Sequence, residues 1–189
     1  MKHFITAAAL LLSIIACGQN KNKMTEQKTL VTYFSWSQNT ETLAKYIAEK
    51  TGADLFRIER TTPYPTDYDA CADAAKAEVD SKTYPAIKAL PEKFDQYNTV
   101  IVAVPVWWYT APMPVFTFLE KSGLDFSGKT VIPLCTAYTA EYNTLKDIVK
   151  VTPTAEHKDG ICIVTKEMGG KGLDKQFGKI DKWLRDLGL

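Results

Sequence analysis

The run Val100-Ile-Val-Ala-Val104 constrains the fold more than any other feature, because it offers five apolar residues in succession and no polar alternation. Such a strand is buried on both faces, which in water requires a sheet with helices on either side. Four further segments accompany it as strands: Leu30 to Phe34, Asp54 to Ile58, Thr130 to Cys135 and Gly160 to Val164. Helical patterns lie between them. Residues 40–51 place Leu43, Ala44, Ile47 and Ala48 on one face, with Gly52 as a C-terminal cap. Residues 68–80 are alanine-rich and helical, with Pro63, Pro65, Pro85 and Pro91 marking loops on either side. Val115, Phe116 and Leu119 predict a helix starting just after Pro114, and Glu141 to Val149 another. The last helix carries Leu173, Phe177, Ile180, Leu184 and Leu187 and ends at Gly188. Strands alternating with amphipathic helices give an α/β fold, a doubly wound five-stranded parallel sheet in a single domain over residues 29–189.

The first residues read differently. Lys2 and His3 precede an apolar run from Phe4 to Ala16, too short for a membrane-spanning helix of about 20 residues. Ile14-Ile15-Ala16-Cys17 resembles a bacterial lipobox, so residues 1–16 are expected to be a signal peptide and Cys17 the site of lipidation. Residues 17–28 then serve as a polar tether. Acyl chains contribute about 0.8 kcal/mol per buried methylene. The expectation is an exported protein, lipid-anchored to a bacterial membrane and facing the periplasm or exterior. A plain leader with an incidental cysteine is the alternative.

Composition removes several classes of function. The formal charge is +1 and no block of like charge occurs, so no nucleic-acid footprint is present. Cysteines 17, 71, 135 and 162 show no CxxC and no metal-ligand spacing, and a core of this size needs no disulfide scaffold. Cys71, Cys135 and Cys162 read as small buried hydrophobes. Beyond the leader the only histidine is His157, read as a solvated loop residue. A serine–histidine hydrolase or a histidine-rich metal site has little to be built from.

In doubly wound sheets, ligands sit beyond the carboxyl ends of the strands. After the first strand comes Ser35-Trp36-Ser37-Gln38-Asn39-Thr40, leading straight into a helix. Hydroxyls, an amide and the free N–H groups of a helix start suit a phosphate dianion; a helix capped by Ser37 or Asn39 with no ligand is the other reading. After the third strand comes Pro105-Val106-Trp107-Trp108-Tyr109-Thr110-Ala111-Pro112. Aromatic rings in such a loop await either a flat ligand to stack on them or a neighbouring helix to pack them as core.

Taken together, YFSWSQNT, TTPYPTDYDAC, VPVWWYTAPMPVFTFLE and FSGKTVIPLCT resemble, in order, segments of the flavodoxin family, especially its shorter flavodoxin-like FMN-binding branch. The resemblance spans residues 28–189. It implies strand order 2-1-3-4-5 and a bound flavin mononucleotide (FMN). It also implies phosphate contacts from Ser35, Ser37, Gln38, Asn39 and Thr40, and ring and ribityl contacts from Pro105, Val106, Trp107, Trp108 and Tyr109, with Thr136, Ala137 and Tyr138 closing the site. Two departures stand out. Gln38 occupies a position usually held by glycine, and the loop after Cys135 reads TAYTAEY where family members are often glycine-rich. Tyr138 or Tyr142 is expected to stack on the flavin in place of backbone contacts. The function implied is FMN-dependent electron transfer with a redox partner protein or a small-molecule acceptor. An NAD(P)H-dependent quinone or flavin reductase, and a binding module that has lost FMN, are the alternatives.

Overall fold

A computed structural model describes residues 28–165 and 172–189. The leader 1–16, Cys17 and the tether up to residue 27 lie outside the described residues, so the expectations placed on them are not addressed by the fold.

The chain alternates β1 (Lys28–Tyr33), α1 (Asn39–Thr51), β2 (Asp54–Arg57), α2 (Tyr68–Ser81), β3 (Tyr97–Pro105), α3 (Met113–Phe116), β4 (Thr130–Ala137), α4 (Thr144–Val151), β5 (Glu156–His157), β6 (Ile161–Val164) and α5 (Phe177–Leu187). All strand pairs are parallel, and the sheet runs β2-β1-β3-β4-β5, with β6 also on β4. The doubly wound parallel sheet and its order are those expected. Along β3, Val100, Val102 and Val104 enter the core beneath α2, α3 and α4, while Ile101 and Ala103 enter the core beneath α1 and α5. That division is the period-2 alternation of a strand covered on both faces.

Several strand ends shift by one to three residues from the pattern, and three later elements depart from it further. The fifth position of the sheet is filled by two short strands. β5 pairs with Thr130 and Val131, and β6 pairs with 134–137, leaving Ile132 and Pro133 opposite the break. Pro133 has no N–H to give a ladder. At Gly160 an added Cβ would stand 2.5 Å from the Pro133 carbonyl oxygen and 2.8 Å from its Cγ, so only glycine fits there. α3 begins at Met113, two residues earlier than the proline suggests, and runs into a π-helical turn over Thr117–Lys121. α4 begins at Thr144, because Tyr142 takes a left-handed conformation (φ 48°) that cannot continue a helix.

Lys129 is buried at the foot of β4, where its ammonium donates to the carbonyls of Phe94, Asp95 and Tyr97 at 3.3, 3.5 and 2.7 Å. Lys129→Met leaves those carbonyls without their donor, and a loss of about 2 kcal/mol is expected in urea unfolding.

Candidate functional site: an aromatic cleft beside an uncapped helix start

β1, β3 and β4 run in parallel register, with Tyr33 opposite Ala103 and Pro105 opposite Thr136. The loops that leave these strands therefore emerge at one edge of the sheet.

The first loop leads into α1 through Gln38, whose backbone is left-handed (φ 68°, ψ −8°). No side chain caps the helix, so neither Ser37 nor Asn39 fills the capping role. The first helical N–H with a partner inside the turn is that of Thr42, bonded to the Gln38 carbonyl at 2.9 Å. The amides ahead of it make the partly positive helix end described for anion binding. Ser35 is buried, Ser37 and Gln38 are exposed and Asn39 is half-buried. Arg57 donates to the Ser35 carbonyl at 3.3 Å and pairs with Glu41 at 3.4 Å. Lys45 holds the Glu41 carboxyl below its ordinary range through a hydrogen bond.

Thr40 is buried, and its hydroxyl meets that of Thr136 at 2.8 Å, which ties the first loop to β4. Thr136 also accepts the Val106 N–H at 2.8 Å, and the Ala137 carbonyl accepts from Thr165. Thr136 and Ala137 thus belong to β4 and brace the loops from below. They do not line the cleft, and neither does Pro105, the last residue of β3.

The second loop turns back on itself. Trp107 and Thr110 exchange hydrogen bonds of 2.9 and 3.1 Å around Trp108 and Tyr109, which both have positive φ (49° and 69°). That is the pattern of a type I′ turn, a shape that normally selects Asn-Gly. A side chain in the left-handed region costs roughly 1–2 kcal/mol. Of the six non-glycine residues with positive φ among the described residues, Gln38, Trp108, Tyr109 and Tyr142 stand around this edge. Strain gathered in one place points to a function that requires it. Gln38→Gly removes one such strain, and a gain of about 1 kcal/mol in unfolding free energy is expected by thermal denaturation.

The cleft itself has a volume of about 280 Å³. Val106, Trp107, Trp108 and Tyr109 form one wall, and Tyr138, Thr139, Ala140 and Tyr142 form another. Trp36 connects this space to the helix start. Among the described residues, every tyrosine or tryptophan classed as exposed lines this cleft: Tyr68 (71%), Trp108 (39%), Tyr109 (59%), Tyr138 (67%) and Tyr142 (46%).

A third wall, made by Tyr68, Cys71, Ala72 and Ala75 of α2, comes from a helix outside the three loops. Its only trace in the sequence is the adjacency of small residues and Tyr68 on one alanine-rich helix. Trp108 donates to the Ala72 carbonyl at 2.9 Å, and Trp36 donates to that of Pro65 at 3.0 Å. Lys76 holds its ammonium 5.5 Å from the Trp108 ring centre, so α2 supplies a cation that none of the three loops contains. The two adjacent tryptophans differ in kind. Trp107 is half-buried and packs edge-on to Phe34 and Tyr64 at 5.3 and 5.1 Å, against the core, whereas Trp108 keeps much of its ring exposed.

Among the described residues no three His, Cys, Asp or Glu side chains converge as metal ligands, and no helix is long and apolar enough to cross a membrane.

A family model described as flavodoxin matches residues 28–179. Among solved structures, a protein from Bacteroides eggerthii assigned as a flavoprotein is 28% identical with a TM-score of 0.72, covering 87% of this chain and 99% of its own. Another so assigned, from Bacteroides uniformis, is 31% identical with a TM-score of 0.65 and coverages of 75% and 94%. A flavoprotein from Lactobacillus acidophilus, solved in complex with FMN, shares the fold at 18% identity and a TM-score of 0.64, with coverages of 76% and 97%. No curated protein matches the sequence.

Proposed function

The chain belongs to the flavodoxin family, and from that premise we propose that it binds FMN non-covalently across the helix start and the aromatic cleft, and carries electrons. The observation that carries this reading is the gathering of all the exposed tyrosines and tryptophans of the described chain around one cleft, beside a helix end that no side chain caps. Rings left in water at such positions lose the burial that aromatic side chains ordinarily gain, and a flat partner restores it. The Lactobacillus relative holds FMN; for this chain the assignment rests on its own residues.

In this reading the amides at the start of α1, with the hydroxyls of Ser35, Ser37 and Thr40 and the amides of Gln38 and Asn39, receive the phosphate. Val106 borders the ribityl chain, and Pro105 sets the end of β3 from which the loop leaves. Trp107, Trp108 and Tyr109 flank the ring on one side, and Tyr138 or Tyr142 covers it in place of a glycine-rich backbone. Bound FMN would supply the redox chemistry, while the protein sets its affinity, orientation and potential. No Lys or Arg lines the cleft, and Lys76 is shared with Asp80 at 2.5 Å. With Lys76 paired to Asp80 and no cation lining the cleft, the aromatic wall disfavours negative charge on a reduced ring, which in this reading favours a low potential. Thr136 and Ala137 act beneath the site, through Thr40 and the strand.

The leader and Cys17 extend the proposal to an exported lipoprotein whose partner is a redox protein or small-molecule acceptor outside the cytoplasm. Protein purified from a membrane fraction tests both parts. The expected result is a flavin absorption spectrum bleached by reductant, an acylated Cys17 by mass spectrometry, and no sustained NADPH consumption with a quinone. Rapid NADPH turnover would turn the assignment to the reductase reading, and an unacylated chain would remove the anchor.

A further inference from the structure

Cys135 and Cys162 are register partners in the parallel ladder of β4 and β6. Partners in adjacent strands point to the same face, and strands lie about 4.8 Å apart, inside the roughly 4.4–6.8 Å between Cα atoms that a disulfide spans. Both thiols are free. Cys135 is fully buried in the core beneath α2, α3 and α4, and Cys162 packs against that core while half-buried. Val164, the next residue of β6 on the same face, is 42% exposed, so this edge of the sheet is open to solvent. A hydrogen bond between the two thiols raises the pKa of Cys135 and lowers that of Cys162. Of the two thiols, that of Cys162 is the one that solvent reaches.

We infer that Cys135 and Cys162 form a reversible dithiol–disulfide site, closed by exchange with a small-molecule or protein disulfide. The Cys162 thiolate attacks one sulfur of the incoming disulfide and expels the other as a thiolate. Cys135 then gives up its proton to that thiolate and attacks the Cys162 sulfur of the mixed disulfide, releasing the second thiolate, which takes up the proton that Cys162 had shed. One disulfide and two protein thiols become one protein disulfide and two small thiols. The site lies one residue before Thr136, whose hydroxyl meets Thr40 at the base of the first loop.

The test exposes the folded full-length chain to glutathione disulfide, quenches with acid, alkylates in denaturant and digests with trypsin. The expected product is peptide 130–146 joined to peptide 159–166, two hydrogens lighter than the separate pair and separated by reductant. Cys162→Ser should abolish the link and Cys71→Ser should leave it intact. Recovery of both cysteines alkylated, or of a stable glutathione adduct on Cys162 beside an alkylated Cys135, would overturn the inference. No flavin is needed in this experiment, so its failure leaves the cofactor assignment standing.

Discussion

Trp108→Ala is expected to weaken FMN binding by about 30-fold while the apoprotein loses no more than about 1 kcal/mol. The affinity figure corresponds to about 2 kcal/mol, the order expected when one large stacking surface is removed. The small structural effect follows from exposure: Trp108 keeps 39% of its surface in water and gives the fold one partly exposed hydrogen bond, to the Ala72 carbonyl. Trp107 borders the cleft too but contributes more to the fold. It packs edge-on between Phe34 and Tyr64, so Trp107→Ala is expected to destabilise the apoprotein by about 3 kcal/mol. Calorimetric FMN titration and urea unfolding of both variants separate the two roles. Equal losses of stability would mean that both indoles are core, and the stacking account would lose its main support.

Glu78→Ala should cost about 3–5 kcal/mol, the largest stability effect of any single change near the site. Glu78 is buried on α2, where it accepts a hydrogen bond from the Tyr64 hydroxyl and pairs with Arg60 at 2.9 Å. The Arg60 guanidinium also lies 4.1 Å from the Tyr64 ring centre. Burial, together with the bond to Glu78, pushes the Tyr64 phenol well above its usual range, so it remains a donor at any physiological pH. Removing the carboxylate leaves a largely buried cation and a buried hydroxyl without their shared partner. Tyr64→Phe removes only one hydrogen bond and is expected to lose about 1 kcal/mol. Replacing Glu78 and Arg60 together with leucine and methionine should recover much of the loss, since a buried pair exchanged for apolar side chains is often neutral. Because Tyr64 packs on Trp107, the single Glu78 variant should also loosen the wall of the cleft. Additive effects of Tyr64→Phe and Glu78→Ala in a double-mutant cycle would show that the three groups do not act as a unit.

Much of this architecture is legible in the sequence because burial on two faces leaves a plain signature. The run 100–104 can only be a central strand, and strands that end together bring their following loops to one edge. Gln38 stands where the family resemblance implies glycine, and the structure gives it a φ of 68°. What sequence could not give depends on contacts between distant segments. Nothing in the alanine-rich pattern of 68–80 says that Tyr68, Ala72 and Ala75 stand over the second loop. The split of the last strand needs Gly160 to lie against Pro133, a contact made only once both strands are in register. Bulky residues at 108 and 109 argue against a type I′ turn by propensity, yet the turn forms, because Thr110 bonds Asp147 at 2.6 Å and Asn143 donates to the Tyr109 carbonyl at 3.0 Å. Cys135 and Cys162 read singly as core residues; only strand register makes them neighbours.

Fluorescence titration of FMN with the flavin-free, folded chain tests the central claim most directly. Stacking against tryptophan and tyrosine should extinguish the flavin emission, with an end point at one FMN per chain and a weaker curve for Trp108→Ala. Undiminished emission in the presence of excess protein, with circular dichroism showing an intact α/β fold, would contradict the assignment.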